Sequence, residues 1–350
     1  MNPHLAAWAI EPDQFPADGF ASDRLEFLLH YAILAPSPHN TQPWLFRVNV
    51  SDVELFADRR RQLPVTDPLG RELTLSCGAA LFNLRVAAEY FAQAYTYEVL
   101  PDPRTPQLLA RLTLGGTAET SADDIVMFGA LIERRTNREP FDPEPVPIEV
   151  LDLIAAAAAR EGAWVEVIAD DDRRAAAAAL VAQADRVQWA NRDFRSELAR
   201  WIRTDAERQA DGIPTREMGV SDWMAFAGPA LVRTFNRGNN QAARDADIAT
   251  HSPALVVLGT DTDDPAAWVN AGQALESVLL HLQAEGIAAS YLNQPVEITE
   301  TRRELTDLIG RAGYPQALMR IGRGQSVPPT PRRSLRGVLL AQDHSKDPPH

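Results

Sequence analysis

Two seven-residue stretches far apart in the chain read alike: "GAALFNL" (Gly78–Leu84) and "GQALESV" (Gly272–Val278). Both follow Gly-x-Ala-Leu-x-[Asn/Ser]-[Leu/Val], and both sit inside an amphipathic helical pattern that follows strand-like residues and precedes an extended segment. Seven residues could match by chance between two alanine-rich helices. The repeated order of helix and strand around them favours an internal duplication, two fused copies of one unit. A length of 350 residues leaves room for it. The second copy would be the longer, by an insertion at about 172–247.

The elements follow from period and punctuation. Residues 1–22 are rich in Pro and Asp, without a period, and read as an irregular arm. The first half, 23–120, opens with a helix over "SDRLEFLLHYAILA" that ends at Pro36. A hairpin of "WLFRVNV" and "VELFAD" follows. The helix "RELTLSCGAALFNLRVAAEYFAQA" then carries Leu73, Cys77, Ala80, Leu84, Ala87 and Phe91 on one stripe, ahead of strands "YTYEVL" and "LLARLTL". The second half, 121–340, holds helices at "SADDIVMFGALIERR" and "VPIEVLDLIAAAAARE", a strand "AWVEVIA" and one long helix from "DRRAAAAALV" to "ELARWI". After these come the strand "SPALVVLGT", the helix "DDPAAWVNAGQALESVLLHLQAEG", an extended "ASYLNQPVEI" and a last strand "QALMRIGRG". Residues 341–350 form a tail. The fold class is therefore α+β.

Bulk properties exclude several functions. A net charge of −14 argues against general nucleic-acid binding, which draws its affinity from Lys and Arg on phosphates. No run of 18 apolar residues exists, so no membrane span is expected, and no export signal is visible. The lone Cys77 cannot form an internal disulfide and fits a cytoplasmic protein; on its helix stripe it is a core residue. His-Glu-x-x-His, paired Cys and clustered His are all missing, so no metal site is expected.

Two stretches carry chemistry. "PSPHNTQPW" stiffens Ser37 and Asn40 between Pro36, Pro38 and Pro43, so the directions of their polar groups are fixed in advance. His39 within it suits a loop hydrogen bond better than catalysis. "ERRTNREPF" sets Arg134, Arg135 and Arg138 around Thr136 at a helix end, a donor set suited to a phosphate monoester. Taken alone, the latter could equally be a solvated basic turn, and the second basic cluster "PRRSLR" (Arg332, Arg333, Arg336) a charged tail.

Together these stretches bear a likeness. "APSPHNTQPWLFRV" resembles the Ala-Pro-Ser-x-x-Asn-x-Gln-Pro-Trp-x-Phe signature of the flavin-dependent nitroreductase family. "RRTNREPFDPEPVP" and "RIGRG…PRRSLRG" are similar to that family's Arg-rich start and basic C-terminal strand and tail. In ordinary members the Arg-rich start comes first, two chains pair, and each FMN lies between them. Here the order is inverted, as in fused two-copy (Acg-like) members, which the chain resembles over about residues 20–340. The resemblance implies a nitroreductase-type fold in which two fused copies make an intramolecular pseudo-dimer.

The same resemblance implies a site. Arg134, Thr136 and Arg138, with Arg332 or Arg333, would meet the FMN phosphate and ribityl region. Pro36, Ser37 and Asn40 would hold the flavin and ribityl chain, and Leu292, Asn293 and Gln294 would run past the flavin edge. The first copy lacks the Arg start and the second lacks the Pro-Ser knot, so one FMN per chain is expected. NAD(P)H would be the reductant and a nitroaromatic, quinone or similar small molecule the acceptor, in a monomer or weak homodimer. A Gly/Pro-punctuated insertion, Thr204–Pro229, would be a lid; if closed, it would make the chain an FMN-storing protein with little turnover.

Overall fold

The two echoed helices lie against each other. In the computed structural model, which describes residues 3–204, 209–214, 232–233 and 238–341, the first half runs α1 (Ala21–Ala32), β1 (Trp44–Val48), β2 (Asp52–Ala57), α2 (Arg71–Tyr90), β3 (Gln93–Val99) and β4 (Leu108–Thr117). Its four strands are antiparallel in the order β1-β2-β4-β3. After α3 (Ala122–Glu133), the second half runs α4 (Ile148–Arg160), β5 (Trp164–Ile168), α5 (Asp171–Ala190), α6 (Arg192–Trp201), α7 (Gly238–His251), β6 (Ala254–Thr260), α8 (Pro265–Ala284), β7 (Ala288–Tyr291), α9 (Gln294–Glu297), α10 (Thr299–Ile309) and β8 (Tyr314–Gly322). Its sheet order is β5-β6-β8-β7, again antiparallel throughout. Both halves are thus helix, two strands, helix, two strands, with the same neighbour pattern. The second adds α5–α7 between its first two strands and α9–α10 between its last two.

The two units meet at α2 and α8. A Cβ on Gly78 would lie 2.2 Å from the Val269 carbonyl oxygen, and one on Gly272 would lie 2.0 Å from that of Leu75. Each glycine therefore faces the carbonyl three residues before the other, so the crossing has two-fold symmetry. Only a residue without a side chain permits so close an approach. The flanking Ala79, Ala80, Leu84, Ala271, Ala274 and Val278 are buried. A pseudo-dyad within one polypeptide is the result.

Each sheet packs its apolar alternation onto its own helix. Trp44, Phe46, Val53, Leu55, Leu109 and Leu112 gather with Leu25, Leu28 and Leu29 of α1, and with Phe128, Ala130 and Leu131 of α3. Val256, Leu258, Ala317, Met319 and Ile321 do the same with Ile154 of α4 and the inner face of α8. Cys77 is fully buried, a core residue as expected. Among the described residues no helix is long and apolar enough to cross a membrane.

Three readings are corrected. The long helix breaks at Asn191, whose side chain accepts the Asp193 N–H at 2.9 Å and caps α6, an alternative that Asn offers the backbone. "ASYLNQPVEI" is extended only to Tyr291; the short helix α9 then begins at Gln294, with Pro295 in its first turn. Next comes α10, with Thr301, Leu305 and Ile309 buried at four-residue spacing and Gly310 at φ 67° as its stop, an element the strand-like reading overlooked. Most of the expected lid, 205–208 and 215–229, lies outside the described residues.

Candidate functional site

The proline knot folds as a strained loop. His39, Asn40 and Gln42 all take positive φ, at 52°, 52° and 49°, a region costly for side-chain-bearing residues other than Asn. Ser37 Oγ accepts the Gln42 N–H at 2.8 Å and closes the loop on itself. Its remaining polar groups reach across the seam. Asn40 Nδ2 donates to the Pro331 carbonyl at 3.1 Å, Asn40 Oδ1 accepts from Arg332, and Gln42 Oε1 accepts the Arg333 N–H at 2.7 Å. The C-terminal tail then runs onto the first sheet, where Phe46 N donates to the Val338 carbonyl at 2.8 Å and Leu340 N to the Phe46 carbonyl at 2.7 Å. The dense amides of the knot are thus largely the fastening of one half to the other.

The arginine corner and the C-terminal tail meet at one carbonyl just ahead of the knot. Arg332 donates to Leu34 O at 2.9 Å and Arg134 to the same oxygen at 3.4 Å. Arg134 is also paired at 3.3 Å with Glu276 of α8, and both are buried. Thr136 bridges to Ala289 at the edge of β7, and Asn137 N donates to the Ala289 carbonyl at 3.0 Å. On the next strand Leu292 N donates to Leu318 O at 2.8 Å, while Asn293 Oδ1 accepts the Leu318 N–H at 3.1 Å. These bonds hold the "LNQ" segment against β8.

All of these elements wall one cavity of about 350 Å³, a size ordinary for a ligand site. Pro36, Ser37, Asn40, Arg134, Thr136, Arg138, Leu292, Asn293, Gln294 and Arg332 line it. Arg333 does not: its guanidinium donates to the Gln42 and Gly337 carbonyls instead. His39 lines the cavity too, and burial together with the neighbouring Arg138 holds its imidazole neutral, down to about 4.

The sequence reading missed the rest of the lining. Arg244 and Arg320 add positive charge, and burial lowers Arg320 only to about 10, so it stays protonated at neutral pH. Glu72, Asp185, Asp245 and Glu297 form an acidic wall. Burial, more than the neighbouring carboxylates, pushes Asp185 up to about 8 and Glu297 up to about 7, and raises Glu72 well above the carboxylate range. Leu75, Ala79, Trp189, Phe194 and Leu275 supply apolar surface. Tyr291 Oη, Gln294 Oε1 and Glu72 Oε2 are buried without a hydrogen-bond partner among the described residues. Such groups are costly unless a ligand or water meets them. Taken together, the cavity suits a partly apolar molecule with polar edges and an anionic end.

The pseudo-dyad relates Leu75, Ser76 and Ala79 of this cavity to Val269, Asn270 and Gln273 on α8. There the side chains are tied to one another instead. Gln273 Oε1 accepts from Arg85 at 2.8 Å, and the same guanidinium grips Glu161 at 2.6 and 3.1 Å.

A model of the nitroreductase family matches residues 131–323. Over 331 residues, 91% of each chain, the sequence is 35% identical to Rv3131 of Mycobacterium tuberculosis, which is named for NAD(P)H nitroreductase activity. This chain belongs to the nitroreductase family. A second relative from the same organism, acg, also named for that activity, is 30% identical over 334 residues, 92% of this chain and 98% of its own. Among solved structures, the nitroreductase-family chain is similar to the FMN-dependent nitroreductase NfnB from Mycobacterium smegmatis in complex with NADPH. That likeness has 17% identity and a TM-score of 0.41, over 62% of this chain and 98% of that one.

Proposed function

We propose that the chain binds one FMN in the seam cavity and is an oxidoreductase that passes two electrons from NAD(P)H to a nitroaromatic, quinone or similar small-molecule acceptor. What carries this reading is one cavity walled by the knot, the arginine corner, the "LNQ" segment and the tail. The donor set fits the group. Arg138, with Arg134 and Arg332 behind it, would bind the phosphate; Thr136 and Asn40 would meet the ribityl hydroxyls; Asn293, Gln294 and Tyr291 would face the polar edge of the ring. Bound there, the flavin supplies the two-electron chemistry. At the pseudo-symmetric position Arg85 is bound by Glu161 and Gln273, which supports one flavin per chain rather than two. We further propose the division of the halves as 23–120 and 121–340, and a chain that is monomeric or weakly dimeric, since its dyad contact is internal.

One observation favours restricted access as a second reading. Residues 209–214 of the insertion are tied to the knot: Gln42 Nε2 donates to the Ala210 carbonyl at 2.7 Å, Gly212 N donates to the Asn40 carbonyl at 3.3 Å, and Asp211 pairs with Arg61 and, at 2.8 Å, with Arg203. A latch of this kind would suit a protein that stores FMN. The test is a visible spectrum of the FMN-loaded protein, followed by NADPH and then a nitroaromatic. Bleaching and recovery on a steady-state timescale support the oxidoreductase; a bound flavin that NADPH does not bleach supports storage; a protein that takes up no FMN refutes both.

A further inference from the structure

Two of the four acids that wall the cavity, Asp185 and Asp245, come from the helices of the insertion. Asp185 of α5 is 2% exposed, lines the cavity, and has an oxygen, Oδ2, with no donor in reach among the described residues. Its carboxyl faces that of Asp245 on the neighbouring helix α7, and the two groups act directly on each other. Two buried carboxylates so placed repel each other as anions, which favours a proton on one of them. The surroundings decide which. Asp245 accepts from Gln241 Nε2 at 3.0 Å on both oxygens and from Gln294 Nε2 at 2.9 Å, bonds that favour its ionised form, and the guanidiniums of Arg244 on α7 and Arg320 on β8 act in the same sense. Asp185 has only weaker help from Gln294 and faces the negative field of Glu297 on α9. Of the other acids on elements packed against α5, Glu304 of α10 accepts from Gln183, Glu197 of α6 accepts the N–H groups of Val65 and Thr66, and Asp247 of α7 pairs with His251. These contacts favour Asp185 as the protonated member of the pair and Asp245 as the ionised one.

Gln294 connects this pair to the segment proposed to run past the flavin. From that juxtaposition we infer that Asp185 is the proton donor to the acceptor molecule, with Asp245 as its positioning residue. The inference rests on the flavin reading above. Reducing a quinone to a hydroquinone requires two electrons and two protons. The reduced nicotinamide supplies both electrons and one proton. The second is the Asp185 proton: its O–H bond breaks as an O–H bond forms on the quinone oxygen, and the carboxylate pair then regains a proton from water. A general acid so placed contributes about a hundredfold or more.

The test uses the full-length FMN-loaded protein and two acceptors: benzoquinone, which takes up protons, and ferricyanide, which takes only electrons. In D185N the ratio of benzoquinone to ferricyanide rates should fall by about a hundredfold, and D185E should restore most of it. Independently, infrared spectra in light and heavy water should show a protonated-carboxyl band in the wild type that D185N lacks. An unchanged ratio in flavin-loaded D185N overturns the inference while leaving the flavin reading intact. So does a D185E protein as impaired as D185N, or a carboxyl band that D185N retains. A wild-type protein that binds no flavin overturns both.

Discussion

Glu276 has no exposed surface, yet it sits within the apolar run "QALESVLLHL" of α8. Its pairing with Arg134 at 3.3 Å explains the exception: it holds the guanidinium that also reaches Leu34 O at the end of α1. Removing one partner of a buried pair leaves the other unpaired, so E276A should lose about 3 kcal/mol in urea denaturation and weaken FMN binding. The same signal, one charged residue on an otherwise apolar face, marks Arg320 in "ALMRIG" and Asp185 among alanines. It was legible in principle. The knot and the Arg corner were read because their residues are adjacent in sequence, whereas the acidic wall comes from four separate helices and only the fold assembles it. Asn40 shows the opposite limit. Its residue type pointed to a ligand, and the structure engages it first with Pro331 and Arg332.

Among the elements, α2 and α8 were legible as a pair from their shared heptapeptide, but not that they touch. The contact depends on what each glycine lacks. Gly78→Ala would drive a methyl group into the Val269 carbonyl, and Gly272→Ala one into that of Leu75; neither obstacle is a side chain that can turn aside. Each should cost about 1–3 kcal/mol. Because both act at one crossing, the double variant should cost less than the sum, as read from denaturation midpoints. Helix α10 escaped the reading because it follows a proline-marked turn inside a segment that looked extended. Asn191 escaped because high alanine content masked a cap.

For the whole molecule, the buried acids set an unusual pH response. Asp185 and Glu297 titrate near 8 and 7 in the fold, mainly through burial, so the native state binds more protons than the unfolded one. Their contribution is fully present below the ordinary carboxylate range and is lost as pH rises through about 7 to 8. The flavin-free protein should melt at lower temperature at pH 8 than at pH 6, and D185N/E297Q should flatten that slope. Asp263 works in reverse. Burial opposes its charge, but bonds from Arg302, Trp268 and Gln316 prevail and hold it at about 2, so its contribution is lost as pH falls toward that value. D263N should flatten the acid limb of the same melting curve.

All of these scales meet in the cavity proposed for one flavin, whose pseudo-symmetric counterpart carries the Arg85–Glu161 pair. Titrating the flavin-free protein with FMN, and following fluorescence quenching to saturation, tests that claim most directly. One equivalent per chain is the expected end point, and R138A should bind at least tenfold more weakly. Saturation at two equivalents, or wild-type protein that quenches no flavin, would contradict it.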